Sequence, residues 1–216
     1  EWMIRLKALA VLNGNIEDLG ILIKQEKEFD FILSADGGTD YCLKASLIPD
    51  VVIGDLDSIS EDTLKNINEN QISVEKFPVK KDATDSELAL DYLIHKGFND
   101  ITIVGATGNR MDHTLANIFL LDKLNDKGIK GRIIDENNTI YLVDNRLYLD
   151  KVENSFISII PIADSGTTIS LKGFEYELNK VQIDFGSTHG ISNIIVEDKG
   201  YIEVHKGRCL LFVSKD

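Results

Sequence analysis

This chain is poor in cysteine, in positive charge and in long apolar runs, and each shortage removes a class of protein. The two cysteines, Cys42 and Cys209, are far apart and have no Cys or His at metal-ligand spacing. They read as reduced thiols, which excludes a disulfide framework and points to a cytoplasmic location. No window approaches the roughly 18 apolar residues of a membrane span, and no signal peptide is expected ahead of the first strand. Lysine plus arginine total 23 against 36 aspartate plus glutamate, a net charge of −13. That balance argues against nucleic acid or an anionic membrane as partner. It is compatible with a phosphorylated substrate provided a metal ion supplies local positive charge. No GxxxxGK(S/T) P-loop, GxGxxG fingerprint, internal repeat or low-complexity segment occurs. Glu1-Trp2 ahead of Met3 read as an appended remnant and are left out of the fold expectation.

What is present is enough apolar residue for real cores: 43% of 216 residues, one large domain or two small ones. Apolar runs at Ile4–Leu12, Phe29–Ala35, Val51–Ile53 and Asn99–Val104 predict strands, and Lys130–Asp135 closes the series. Between them, helical spacing predicts helices over Ile16–Lys27, Thr39–Ser46, Glu61–Asn70, Thr84–Lys96 and Asp112 to about Lys127. In the last of these Leu115, Ile118, Phe119 and Leu124 are expected to face inward. Strand and helix in alternation predict a mostly parallel sheet flanked by helices, over residues 3–136. After Asp135 only short runs remain: Thr139–Val143, Arg146–Leu149, Phe156–Ile162, Thr168–Leu171, Val181–Ile183, Asn193–Val196, Tyr201–His205 and Cys209–Val213. Short strands at close spacing predict an all-β antiparallel sandwich over 137–216.

Four turns at predicted strand ends carry the chemistry. In Gly54-Asp55-Leu56-Asp57-Ser58, Asp55 and Asp57 point the same way if the chain stays extended, and two convergent carboxylates call for a cation or a proton between them. Oxygen ligands suit Mg²⁺. The plain alternative is an Asp-rich turn with a helix N-cap at Ser58 or Ser60. Asp36-Gly37-Gly38 is either a strand–helix turn or a close backbone approach to a ligand. In Lys80-Lys81-Asp82-Ala83-Thr84-Asp85-Ser86-Glu87, a capping box explains Thr84, Asp85 and Glu87. Asp82 and the two lysines belong either to a solvated loop or to a phosphate site. The Gly105–His113 loop, Gly-Ala-Thr-Gly-Asn-Arg-Met-Asp-His, offers backbone N–H groups and a guanidinium, Arg110, to an anion. There Asp112 is a candidate helix N-cap, and His113 a surface or capping residue rather than a catalyst.

Together and in this order the four turns resemble thiamine pyrophosphokinase. So do Gly190-Ile191-Ser192-Asn193 and Gly207-Arg208-Cys209-Leu210-Leu211 in the β half. The resemblance implies an enzyme that transfers the pyrophosphoryl group of ATP to the thiamine hydroxyl, releasing AMP. It implies Mg²⁺ on Asp55, Asp57 and Asp82. It implies a nucleotide and pyrophosphate site lined by Asp36, Gly37, Ser58, Asp85, Thr107, Arg110, Asp112 and His113, with thiamine on Ser192 and Asn193. It further implies a homodimer in which the thiamine segment faces the nucleotide domain of the other subunit. Three departures stand out. Many members have a second glycine where this chain has Asn109, whose side chain tolerates the left-handed conformation. Many bacterial members have Glu where Ile194 follows Ser-Asn. Eukaryotic members place a tryptophan near the thiamine ring, and the β half here has none.

The residues suit positioning and charge neutralisation, which is most of what phosphoryl-type transfer asks of a protein. Asp85, Asp112 and His113 are all candidates for the base, and the sequence does not choose among them. Two other readings are a metal-dependent nucleotide-sugar glycosyltransferase, which leaves the Gly105–His113 loop and Ser192-Asn193 without work, and a non-catalytic nucleotide or thiamine sensor on the same fold.

Overall fold

A computed structural model describes residues 5–25, 28–56, 59–76 and 83–215. The chain divides into two compact units, Glu1–Glu136 and Asn137–Asp216. In the first, strands β1 (Lys7–Val11), β2 (Phe31–Ala35), β3 (Val51–Ile53), β4 (Ser73–Glu75), β5 (Asp100–Val104) and β6 (Lys130–Ile134) pair in the order β4-β3-β2-β1-β5-β6. Every pairing is parallel. All carboxyl ends therefore share one edge of the sheet. Consecutive residues are buried along β1, β2, β3 and β5, as expected of strands covered on both faces.

The covering helices are α1 (Gly20–Gln25), α2 (Gly38–Lys44), α3 (Glu61–Glu69), α4 (Asp85–His95) and α5 (Met111–Asp126). Leu9, Leu33, Leu90, Leu93, Ile101, Ile103, Leu121, Leu124 and Ile133 are fully buried. Each such side chain contributes about 1.5–3 kcal/mol. An exposed pair such as Lys65–Glu69 contributes about 0–1 kcal/mol, so burial dominates. Local caps agree with the pattern. Ser60 caps α3 by accepting from the Thr63 N–H at 3.1 Å, and Thr84 caps α4 by accepting from Glu87 N–H at 3.3 Å. The reciprocal half of the α4 capping box goes elsewhere: the Glu87 carboxylate pairs with Lys123 of α5 at 2.9 Å.

Several expectations are corrected. α1 starts at Gly20, not Ile16, because Asp18 folds its carboxylate back onto the Gly20 N–H at 2.8 Å. Strand β4 was not legible in a run as short and polar as Ser73-Val74-Glu75. α5 begins at Met111 with Arg110 as N-cap, so Asp112 is inside the helix. Its buried side is Thr114, Ile118, Leu121 and Leu124. Leu115 and Phe119 lie one residue further round and are exposed, in line with Met111.

The second unit has two antiparallel sheets. One holds β7 (Asn138–Val143), β13 (Cys209–Lys215) and β9 (Ser155–Pro161), in the order β7-β13-β9. The other holds β11 (Leu178–Ile183), β10 (Thr167–Lys172), β12 (Lys199–Lys206) and β8 (Arg146–Asp150), in that order. One apolar cluster draws on both sheets, including Val143, Ile157, Ile159 and Leu211 from the first and Leu149, Ile169, Leu171, Ile202 and Val204 from the second. That is a sandwich. Residues 193–196 are not a strand. They touch β9 and the β10–β11 turn through single bridges, Ile157–Asn193 and Phe174–Ile195.

Candidate active site

Sheet order reverses at β1: β2, β3 and β4 lie to one side, β5 and β6 to the other. In an open parallel sheet the crevice beyond the strand ends at such a reversal is the expected ligand site. A cleft of about 550 Å³ lies there, its walls including Asn13-Gly14-Asn15 after β1 and Gly105–Arg110 after β5. Asp36 and Tyr41 line it after β2, Thr84-Asp85-Ser86 at the start of α4, and His113, Thr114 and Asn117 on α5.

The loops after β1 and β5 are fastened to each other. The pairing of β1 with β5 continues beyond the strands through Leu12 N–H to the Val104 carbonyl (2.8 Å), Gly14 N–H to Gly105 O (2.7 Å) and Asn15 N–H to Thr107 O (2.7 Å). A side chain at Gly14 would collide with the Gly105 and Thr107 carbonyls, and Gly105 itself is left-handed at φ +70° against the Leu12 carbonyl. α5 braces the same loop from below. Asn117 donates to the Ala106 carbonyl at 2.9 Å, and the Thr114 hydroxyl accepts from Gly108 N–H at 3.1 Å. The Gly108 N–H is thus engaged within the protein. Neither Gly108 nor Asn109 is left-handed, so a residue with a side chain at 109 requires no tolerance of positive φ.

Of the residues named from sequence, Asp36, Asp85, Thr107, Arg110 and His113 line this one cleft. Asp36 has φ +46°, and its carboxylate lies against Cα of Gly54, where φ is +138° and no side chain fits. The turns after β2 and β3 are therefore in contact. Gly37 is buried as the N-cap of α2, under the Asn13 amide, and is not on the cleft wall. Asp55 is exposed just past β3. Asp57, Ser58 and Asp82 lie outside the described residues. Among the described residues no three His, Cys, Asp or Glu side chains converge as a metal site. Among the described residues, the carboxylates of Asp36 and Asp55 at the ends of β2 and β3 are hard oxygen donors of the kind Mg²⁺ takes.

Asp112 turns away to hold Arg110: Nε donates to Oδ1 at 3.1 Å and a terminal nitrogen to Oδ2 at 2.5 Å. The hydrogen bond from Arg110 lowers the Asp112 pKa from 3.8 to about 2 and raises that of the guanidinium. A carboxylate that acidic is a weak base, and its contact orients Arg110, the member of the pair on the cleft wall.

Comparison with known proteins agrees with this architecture. The family model for the thiamin pyrophosphokinase catalytic domain matches residues 23–133, and that for its vitamin B1 binding domain matches 144–209. Thiamine pyrophosphokinase of Bacillus subtilis (strain 168) is 38% identical over 186 residues, covering 85% of this chain and 87% of the relative. The chain belongs to the thiamine pyrophosphokinase family. The crystal structure of a Bacillus subtilis thiamine pyrophosphokinase superposes with a TM-score of 0.87 at 34% identity, over 97% of this chain and 99% of that one. That of the Geobacillus thermodenitrificans thiamin pyrophosphokinase gives 0.86 at 27% identity, over 98% of each.

In the second unit, Ser192 is left-handed (φ 62°) and its N–H donates to the Ser158 hydroxyl at 3.1 Å. Asn193 is buried, 8% exposed, with its amide spent on the chain itself. Its oxygen accepts from the N–H groups of Tyr176 (3.1 Å) and Ile194 (2.9 Å), and its nitrogen donates to the Tyr176 carbonyl at 2.8 Å. The ring presented by this grip, Tyr176, is 65% exposed. Sequence reasoning missed Tyr176, the Asn13–Asn15 loop and Tyr41. Asn13-Gly14-Asn15 reads as an ordinary turn until β1 is known to lie beside β5. Both thiols are buried and inert: burial pushes Cys42 and Cys209 up to about 12. No described helix is long and apolar enough to cross a membrane.

Proposed function

We propose that this chain is a thiamine pyrophosphokinase, transferring the pyrophosphoryl group of ATP to the hydroxyl of thiamine to give thiamine diphosphate and AMP. The observation that carries the reading is the gathering of Asp36, Asp85, Thr107, Arg110 and His113, from three separate turns, around one cleft at the sheet's reversal point. Residues 3–136 form the nucleotide-binding catalytic domain, and 137–216 the thiamine-binding and dimerisation domain. The assembly is a homodimer, and the enzyme works in the cytoplasm.

Within that reading Arg110, held in place by Asp112, takes anionic phosphate oxygens, and Thr107 and the loop backbone position the nucleotide. Asp55, Asp57 and Asp82 would hold Mg²⁺, which when bound neutralises charge on the phosphates. Asp85 and His113, both on the cleft wall, are better placed than Asp112 to accept the proton of the thiamine hydroxyl. Ser192 and Asn193 act on thiamine, Asn193 through Tyr176, whose exposed ring offers an aromatic face where the β half has no tryptophan.

The deciding experiment incubates the protein with ATP, Mg²⁺ and thiamine and follows the nucleotides. AMP formed in step with thiamine diphosphate is the expected result. ADP, or no turnover, overturns the reading.

A further inference from the structure

Two acidic residues past the end of β6 stand beside the cleft without lining it. Asp135 and Glu136 follow β6 directly. Asp135 accepts the Thr107 hydroxyl at 3.2 Å, and one oxygen of Glu136 accepts the N–H groups of Glu17 (2.7 Å) and Asp18 (3.1 Å). Thr107 is thereby held twice, by its side chain to Asp135 and by its carbonyl to Asn15 N–H. The contacts close a ring across three neighbouring strands: the loop after β1, the loop after β5, and the end of β6. Both loops are walls of the cleft, and neither Asp135 nor Glu136 is.

We propose that Asp135 is a positioning residue for the nucleotide, acting through Thr107, with Glu136 fixing the opposite loop; the inference rests on the cleft being the ATP site. The chemistry is that of a fixed hydroxyl. A threonine on a loop turns about its Cα–Cβ bond unless something takes its proton. Once that proton is committed to Asp135, the hydroxyl oxygen can present only lone pairs to the cleft, and the Thr107 peptide keeps one orientation. The carboxylate itself stays behind Thr107, off the cleft wall.

The test uses steady-state kinetics with each substrate varied in turn, alongside thermal unfolding. Asp135→Ala is expected to raise KM for ATP by about three- to tenfold, the worth of one hydrogen bond, with KM for thiamine unchanged. Asp135→Asn, which keeps an acceptor oxygen, is expected to restore most of the loss. Thr107→Val removes the same bond from the other side and stands in if the Asp135→Ala protein does not fold. Where both single variants fold, adding Asp135→Ala to Thr107→Val should change KM for ATP no further. Equal shifts in both KM values, an Asn variant as impaired as the Ala variant, or additive effects in the pair would each overturn the proposal. Equilibrium binding of a non-hydrolysable ATP analogue separates the two claims. Weaker binding in Asp135→Ala, with no thiamine diphosphate made by the unaltered protein, would sink the assigned reaction and leave the positioning role standing.

Discussion

The carboxamide of Asn193 grips the main chain of Tyr176 on both sides of its Cα, accepting from its N–H and donating to its carbonyl. Asn193→Ala would leave both backbone groups without their partner. It should cost about 1–3 kcal/mol of stability, read by denaturant unfolding. It should also raise the thiamine requirement with ATP dependence little changed. Tyr176→Phe should keep thiamine affinity and Tyr176→Ala should lose it. Equal thiamine KM values in the Ala and Phe variants would remove the ring from the site.

Asp55 is exposed and past the end of β3, so Asp55→Asn, which keeps the shape of the side chain, should leave the protein folded, as read by thermal unfolding. Turnover at ordinary Mg²⁺ should fall by roughly a hundredfold or more, with partial recovery as Mg²⁺ is raised. Near-normal turnover would take Asp55 out of the metal site. The same assay applies to Asp57→Asn.

Asp112 and Arg110 make a pH prediction with a definite sign. The folded pKa of Asp112 is lowered from 3.8 to about 2, so the pair's contribution is complete above about pH 4 and is lost as pH falls through about 2. Asp112 therefore contributes no limb to a pH–rate profile between pH 5 and 9. A carboxyl-carbon NMR titration should find its midpoint near 2, returning to the ordinary aspartate range in Arg110→Ala. A midpoint near 4 in the unaltered protein would contradict the pairing.

Two positions in the turns make opposite predictions. Gly54→Ala places a methyl group against the Asp36 carboxylate at a backbone φ of +138°. It should cost about 1–3 kcal/mol and displace Asp36 from the cleft, seen as a rise in nucleotide KM. Asn109→Gly should gain no stability in denaturant unfolding, because position 109 has no left-handed backbone to relieve.

Native Cys42 and Cys209, with burial holding both pKa values near 12, should resist a thiol reagent at pH 8 and react fully only in denaturant. Labelling faster than global unfolding would show that either thiol is open to solvent.

The sequence pattern revealed most of the fold because alternation of strand and helix, capping residues and turn glycines are local signals. Thr84 and Ser60 cap where their side chains say they should. The failures are through-space effects. β4 is a strand because β3 offers it an open edge, not because Ser73-Val74-Glu75 favours one. The chain ahead of α1 is held from afar, where Glu136, 118 residues from Asp18, takes the N–H groups of Glu17 and Asp18. Asn193 illustrates the same limit at the site. Its place in the motif was legible, but only the structure places Tyr176 on its amide. The mutual contact of Asp36 and Gly54 likewise required the pairing of β2 with β3.

The main-chain contact at Gly14 and Gly105 has a thermodynamic consequence. Where those two loops meet, the floor of the cleft is peptide against peptide, with no rotamer to freeze when a ligand arrives. Ordering a flexible side chain at an interface costs about 0.5–1.5 kcal/mol, and this surface avoids that cost. The entropy was lost once, on folding, at the glycines. Nucleotide binding to this part of the cleft should accordingly show a smaller unfavourable entropy than binding to a wall built of long side chains.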